Sequence, residues 1–440
     1  MNQFRGADTG GPYTVLCDHV YEPLAQATRP LRFTVRAGRI ADVADLDDGP
    51  PPAGGDVLDL RRHVLLPLLV DTHVHLRLDP WPLEPRLRTQ PELRPIEEEL
   101  PVVRRRAAEA LAAGVGLVRD LGDLGAASLA AVEVARHDRR IAKVAACGPA
   151  LYRAGCYGRW LGQPFADSES LCAGIRRWAA DPRVSVIKLI PTGIVNFKRG
   201  RVTTAPFVTP DELQAAVDLA HELGKPVAAH ASGDEGIRLA VAAGVDFIEH
   251  GYLMTRPTLD LLIERQLTWT PTFAPVHVQW RCADRCGWNG DVRGRLRQIL
   301  DDHAAMLRIA HASGCRILAG SDAGAPGVSL GGGLWLELEL MQQAGIPAAD
   351  LLTMVTWTAS QALGTECPWG RIAAGAPASF LAVAGRVDRD VRLLREIRWV
   401  ARDGRIVPGR PPRMSADPAV DDQAGEPAVA PSPAHAEPRA

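Results

Sequence analysis

The chain has 440 residues, 46% hydrophobic and 23% charged, with 50 Lys and Arg against 52 Asp and Glu for a net charge of −2. That length exceeds one typical domain but suits an α/β barrel with a large core. The charge balance lacks the basic field that a nucleic-acid partner needs, and a local run such as Arg104-Arg105-Arg106 reads as the solvated face of a helix.

From Met1 to Gly11 the sequence is polar, without the apolar stretch of a secretory leader. No run of about 18 apolar residues marks a membrane span. The eight cysteines are scattered rather than arranged as a disulfide framework. Cys282 and Cys286 form an isolated C-x-x-x-C and read as ordinary thiols. The expectation is a reduced, cytoplasmic protein.

In chain order, Tyr13–Leu16, Leu31–Val35 and Val57–Leu60 predict short strands, with a turn near Arg36 to Ile40. Asp47 to Asp56 is rich in Pro and Gly and predicts an exposed loop. A βα alternation follows. Its most legible unit begins at Thr209, which can cap a helix with Pro210 at the first helical position and Glu212 three residues on. That helix runs to Gly224, a natural stop, and Pro226 to His230 is the next buried strand. A helix near Glu235 to Ala243 leads to the strand Asp246 to His250. A helix from Pro257 then leads to Leu267 to Thr272. Upstream strands end near His73, Asp120, Gly148 and Lys188, and Arg316 to Asp322 supplies the last.

Eight parallel strands with intervening helices predict an α/β fold, a closed (β/α)8 TIM barrel. An open doubly wound sheet stays possible on pattern alone, although no Gly-rich phosphate fingerprint follows the first strand. Phe380–Val383 and Trp399–Val407 return to strand–turn–strand character, so the two chain ends can pair into one small sheet domain. The expected division is 1–62 and 370–410 for that domain and 63–369 for the barrel. A disordered tail of Pro, Ala and acidic residues takes up 411–440.

The chemistry lies at the strand ends. In Leu69-Val70-Asp71-Thr72-His73-Val74-His75, residues two apart point to one side of a strand, so both imidazoles can converge. Lys188, His230, His250 and Asp322 close similar apolar runs. In a barrel all six share one rim, where they can build a two-metal hydrolytic site. Imidazole and carboxylate suit divalent metals such as zinc. Lys188 is the odd member, because an ammonium repels a metal. Two readings stay open on spacing alone: carboxylation to an N6-carboxylysine that bridges two cations, or an interior ion pair with Asp322. His137, His221, His303 and His311 fall in helical patterns, and His63 and His277 lack partners, so these read as structural or surface residues.

The ordered set resembles the amidohydrolase superfamily, in its imidazolonepropionase-like and prolidase-like branch. Besides the six residues it includes Ala113-Gly114-Val115 leading to Val118-Arg119-Asp120-Leu121-Gly122, Ala229-His230-Ala231, and Ile248-Glu249-His250-Gly251. Pro271-Thr272, Gly320-Ser321-Asp322-Ala323-Gly324 and Thr356-x-x-x-Ser360-Gln361-Ala362-Leu363-Gly364 continue it, so that it covers about residues 10 to 408. The resemblance implies that His73, His75, carboxylated Lys188 and Asp322 hold one metal, while Lys188, His230 and His250 hold the other. It also implies a β-sandwich made from both chain ends. The chain departs from the pattern at Pro67-Leu68, at Gly375-Ala376-Pro377-Ala378-Ser379, and at Ser232, where many prolidase-like relatives carry histidine.

The implied mechanism is hydrolysis of an amide-like C–N bond in a dipeptide, N-acyl amino acid or cyclic amide. Two cations lower the pKa of a bridging water enough to supply hydroxide near neutral pH, and Asp322 acts as general base and acid. Alternatives are a mononuclear deaminase of a heterocycle and an inactive barrel serving as a binding protein. Tyr157, Arg159 and Tyr252 are candidate substrate contacts, as are Arg153, Lys198, Arg199 and Arg201 in rim loops. Residues 273 to 297, with Trp280 and Trp288, read as a lid or an oligomer contact. The expected partner is a small molecule, with no nucleic acid or membrane, and a homo-oligomer is possible.

Overall fold

The computed structural model describes residues 11–48, 56–87 and 92–408. Most of the Pro/Gly-rich loop 47–56 and the tail 411–440 lie outside the described residues. Five strands come first: β1 (Tyr13–Glu22), β2 (Ala27–Arg36), β3 (Arg39–Asp45), β4 (Asp56–Asp59) and β5 (His63–Pro67). Next are β6 (Leu69–Val74), β7 (Val115–Asp120), β8 (Lys143–Ala146), β9 (Ala150–Arg153), β10 (Gly162–Phe165) and β11 (Ile187–Ile190). A short hairpin, β12 (Val195–Asn196) and β13 (Arg201–Val202), precedes β14 (Val227–Ala231), β15 (Phe247–His250), β16 (Thr268–Thr270) and β17 (Arg316–Ile317). The chain closes with β18 (Phe380–Ala384), β19 (Ile397–Arg402) and β20 (Arg405–Pro408).

Both chain ends enter one eight-stranded sheet, ordered β20-β19-β18-β5-β1-β2-β3 with β4 also on β1. β18 runs antiparallel to β5, pairing Phe380 with Pro67 and Ala384 with His63. The β2–β3 turn is a two-residue hairpin with φ of 50° at Ala37 and 79° at Gly38, which matches the right-handed twist of the flanking strands. Gly38 is also required by contact, since a Cβ there would stand 2.7 Å from the Asp403 carbonyl oxygen. Phe33 and Phe380 meet edge to face at 5.5 Å between centroids, inside a core shared by Tyr13, Val15, Leu31 and Ile40.

The middle of the chain is a mixed α/β fold. β6, β7 and β8 form one parallel sheet, and β10-β9-β11-β14-β15-β16-β17 form another. Hydrogen bonds join the two in two places. Ser185 N–H donates to the Ala146 carbonyl at 2.9 Å just ahead of β11. Beyond β17, Thr72 N–H donates to Ala319 at 3.2 Å, Asp322 N–H to His73 at 2.7 Å and His75 N–H to Ala323 at 2.7 Å.

The helix Pro210–Glu222 starts as its sequence demands. Thr209 Oγ1 accepts from Glu212 N–H at 3.2 Å, and the Glu212 carboxylate accepts from Thr209 N–H at 2.9 Å. The helix stops at Gly224, whose φ is 71°. Three strands differ from expectation. The third stops at Ala146 rather than Gly148; Gly148, at φ 65°, turns the chain into the extra pair β9 and β10. The seventh stops at Thr270 because Pro271 has no N–H for the ladder. The eighth is regular only over Arg316–Ile317, and its continuation follows β6 instead. Among the described residues no helix is long and apolar enough to cross a membrane.

The contact between the chain ends carries a measurable load. Phe380→Ala empties a fully buried site and is expected to cost about 3–5 kcal/mol. Urea unfolding checks this, and an unchanged midpoint would show that the two ends do not share a core.

Candidate active site

β6 carries His73 and hands the chain to His75, and the two-residue spacing places both imidazoles on one side. Both are buried. His75 Nε2 lies 3.3 Å from Asp322 Oδ1, and His73 Nε2 lies 3.7 Å from the same oxygen. The ligand atoms of this trio all fall within 4.8 Å of one another. His250, at the end of β15, packs its ring 4.9 Å from that of His73, and His230 of β14 packs 4.6 Å from His250. Lys188 of β11 opens into the same cavity as all five. The structure therefore brings the six sequence-predicted residues together.

The imidazoles are oriented through their other nitrogens. His73 Nδ1–H donates to Glu249 at 2.7 Å, and His75 Nδ1–H donates to the Gly122 carbonyl at 3.2 Å. His250 Nδ1 pairs with Thr272 Oγ1 at 2.8 Å. Donation from Nδ1 fixes the His73 and His75 rings and leaves their Nε2 as the lone-pair nitrogen, and the Thr272 bond fixes the His250 ring. Among the described residues, His73 Nε2, His230 Nε2 and Lys188 Nζ are buried with no hydrogen-bond partner. Orphaned polar atoms of this kind are costly unless something binds them.

Left-handed backbone also occurs at these points. His250, Thr272 and Asp322 hold φ of 70°, 54° and 54°, left-handed values that non-glycine residues rarely adopt. Each costs on the order of 1–3 kcal/mol and persists only where the surroundings enforce it.

Burial pushes the Lys188 ammonium down to about 8, with Glu249 opposing and Arg119 adding to it. Its amine therefore has a sizeable neutral population near neutral pH. Burial, then the nearby Lys188 charge, brings His230 down to about 3, and burial holds His250 well below the usual histidine range. Burial opposes ionisation of Asp322, but the His75 hydrogen bond and neighbouring positive charges outweigh it and set its carboxyl below the usual range.

Four residues that the sequence does not assign a role hold this arrangement. Arg119 of β7 donates from Nε to the Thr72 carbonyl at 2.7 Å and from Nη2 to Glu249 at 2.8 Å. Burial alone would raise Glu249, yet Arg119 and then His73 hold its carboxyl down at about 2. Asp71 accepts from the Ser321 N–H at 2.9 Å and hydroxyl at 2.5 Å, tying β6 to the residue before Asp322. Thr272 holds His250. The available signal was a charged or polar residue inside an apolar strand run, as in Val118-Arg119-Asp120 and Ile248-Glu249-His250.

Above these groups lies a cavity of about 660 Å³. Tyr157 lines it and packs on the His230 ring at 5.3 Å. Tyr252 also lines it, but its hydroxyl donates to the Thr272 carbonyl. Arg159 is exposed and is not brought to the cavity; its guanidinium lies 5.8 Å from the Trp160 ring centroid. Arg153 is bonded to Glu212 at 2.8 Å and to the Phe207 and Ala166 carbonyls. Lys198 and Trp288 line the cavity, whereas Arg199, Arg201 and Trp280 do not. The segment 273–297 contains the helix Phe273–Arg281 and the start of the helix Gly290–Ala312.

A sequence model of the amidohydrolase family matches residues 64–409. An uncharacterized protein of Mycobacterium tuberculosis is 29% identical over 160 residues, 36% of this chain and 43% of its own. Ochratoxinase of Aspergillus niger is 24% identical over 229 residues, 51% of this chain and 46% of its own. The chain thus spans less than half the length of these curated relatives. Among solved structures, a Xaa-Pro dipeptidase with bound methionine aligns with a TM-score of 0.79 at 23% identity, over 91% of this chain and 100% of that one. A. niger ochratoxinase aligns at 0.73 and 21%, over 93% and 99%. These structures share the fold.

The Arg119–Glu249 pair is open to test. Arg119→Met leaves a carboxylate buried without its charge partner and is expected to cost about 3–5 kcal/mol. Chemical unfolding of the variant measures this, and a loss below about 1 kcal/mol would mean that Glu249 is satisfied by His73 alone.

Proposed function

The chain belongs to the amidohydrolase family, and from that premise we propose that it is a metal-dependent hydrolase of an amide-like C–N bond in a small molecule. The scaffold in this reading is a closed (β/α)8 barrel of β6, β7, β8, β11, β14, β15, β16 and β17. The hydrogen bonds joining the two parallel sheets support closure. One observation carries the functional reading: among the described residues His73 Nε2, His230 Nε2 and Lys188 Nζ are buried around one cavity with no hydrogen bond.

That donor set fits two divalent cations, with zinc the best match to imidazole and carboxylate. His73, His75, Asp322 and a carboxylated Lys188 would hold one, and the carboxylated Lys188 with His230 and His250 the other. The neutral fraction of Lys188 is the form able to take up CO2. Bound there, the cations would polarise the scissile carbonyl and make a water molecule acidic near neutral pH.

The chain's own residues supply the rest. Asp322 accepts the water proton and returns it to the leaving nitrogen, a task suited to a carboxylate that is ionised at rest. Burial, then the Asp322 charge, pushes the Tyr157 phenol well above its ordinary value. It therefore stays protonated and donates toward the developing oxyanion. Glu249 and Thr272 keep His73 and His250 aimed at the cavity.

A second reading has the compact trio His73, His75 and Asp322 in its favour: one metal, as in a deaminase of a heterocycle. It leaves Lys188 and His230 without partners, which weighs against it.

Metal analysis separates the two. The wild-type protein is expected to hold two metals per chain, and more fully with bicarbonate present. Lys188→Ala should hold one or none, with no response to bicarbonate. Two metals retained in the variant would sink the carbamate bridge. In a screen of N-acyl amino acids, dipeptides and cyclic amides, Asp322→Asn is expected to lower kcat by about 10²–10⁴. Turnover only of aminated heterocycles to ketones would favour the deaminase.

A further inference from the structure

Hydrolysis itself needs only the floor of the cavity, and the walls above it have a different chemistry. At about 660 Å³ the cavity has the capacity of a pocket for a drug-sized ligand. Separate rim segments supply apolar groups: Leu83 after β6, Ile194 and Phe197 after β11, Val276 in the helix Phe273–Arg281, and Trp288 just before the helix Gly290–Ala312. Ile194 is 52% exposed, a large apolar side chain on a cavity wall. Phe197 and Trp288 meet edge to face, with ring centroids 6.0 Å apart at 90°. Trp288 is held there by its indole N–H, which donates to Gln279 Oε1 at 2.6 Å. The result is a fixed aromatic corner.

The charges complete the pattern. Apart from Lys188, the only cation among the described lining residues is Lys198, and the only carboxylate is Asp322. The outer walls therefore offer an anionic group one counter-charge and offer an ammonium none. A small zwitterionic dipeptide would leave its α-amine unpaired against apolar surface, which is costly.

We propose that the cavity selects amides bearing a bulky aromatic group, which seats in the Phe197–Trp288 corner. The substrate carries no free ammonium, and any carboxylate it bears meets Lys198. This rests on the amide-hydrolase reading of the floor. Aromatic pairs favour offset or edge contacts, and a ring entering the corner finds an edge and a face already in place.

Calorimetry on the metal-loaded protein tests the pocket without any turnover. Two inert carboxylates of equal charge serve as probes, 2-naphthylacetate and propionate. The wild type is expected to bind the aromatic probe at least about ten-fold more tightly. Trp288→Ala, and Trp288→Leu should the first variant fold poorly, is expected to reduce that ratio about ten-fold while metal content stays at two per chain. Equal affinities in the wild type, or the same loss for both probes in the variants, would overturn the proposal. A parallel assay compares kcat/KM for N-naphthoyl and N-acetyl forms of one amino acid. An aromatic binding preference with no amide cleaved overturns the hydrolase reading and leaves the pocket assignment standing. Cleavage of both amides at equal kcat/KM overturns the assignment and leaves the hydrolase reading intact.

Discussion

The site depends on one buried carboxylate. Glu249 is fully enclosed and bonded on one oxygen to Arg119 and on the other to His73. A lone charge there would be prohibitive, and the pair gains little net stability over apolar residues of the same size. What the arrangement supplies is geometry. Arg119 also donates to the Thr72 carbonyl, so β6, β7 and β15 are locked at the level where His73 and His250 project. With Nδ1 of His73 committed to Glu249, its Nε2 has one direction to face. The left-handed residues His250, Thr272 and Asp322 need such bracing, because each would relax in a looser surround.

The sheet made from the chain ends contributes to the same end. β5 leads into β6 through the single residue Leu68, whose N–H donates to Ser379 at 3.3 Å and whose carbonyl accepts from the Trp369 indole at 3.2 Å. The strand that delivers His73 and His75 is thus fixed at its start by β18 and by one of the largest fully buried side chains. Asp71 and Ser321 fix it from the other side, next to Asp322. The first metal-ligand candidates sit on a strand clamped at both ends.

Much of this was legible in the sequence. Period-two spacing put His73 and His75 on one side, and the runs ending at Lys188, His230 and His250 marked strand ends to within two residues, whereas the run to Asp322 leaves its strand after Ile317. Thr209, Pro210 and Glu212 specified a helix start because their reciprocal bonds are local. Other features were hidden because they depend on distant partners. A glutamate after Phe247-Ile248 reads equally as an edge residue or a buried ion, and only Arg119, 130 positions earlier, decides between them. The arginines near the rim were ambiguous for a related reason, as surface charge or substrate contacts. Charge alone does not choose between these, whereas the structure pairs Arg153 with Glu212 and leaves Arg159 outside the cavity lining. Trp288 reads in sequence as part of a lid or of an oligomer contact, and its place against Phe197 follows from two loops meeting, which no local pattern encodes.

The parts of this molecule proposed to react and to select are built from different material. The six floor residues sit in or just beyond the parallel strands, where Glu249, the Gly122 carbonyl and Thr272 fix the rings of His73, His75 and His250 by hydrogen bonds. The walls come from segments between strands, where Ile194, Phe197 and Trp288 are held by a few contacts and partly face solvent. A change in those walls alters which molecule fits and leaves untouched the bonds that aim His73, His75 and His250. The converse does not hold, since removing Glu249 or Arg119 would disturb the floor and the strands together. On the proposed reading, selection can therefore drift while the six-residue floor stays constant, because the forces that set each are physically separate.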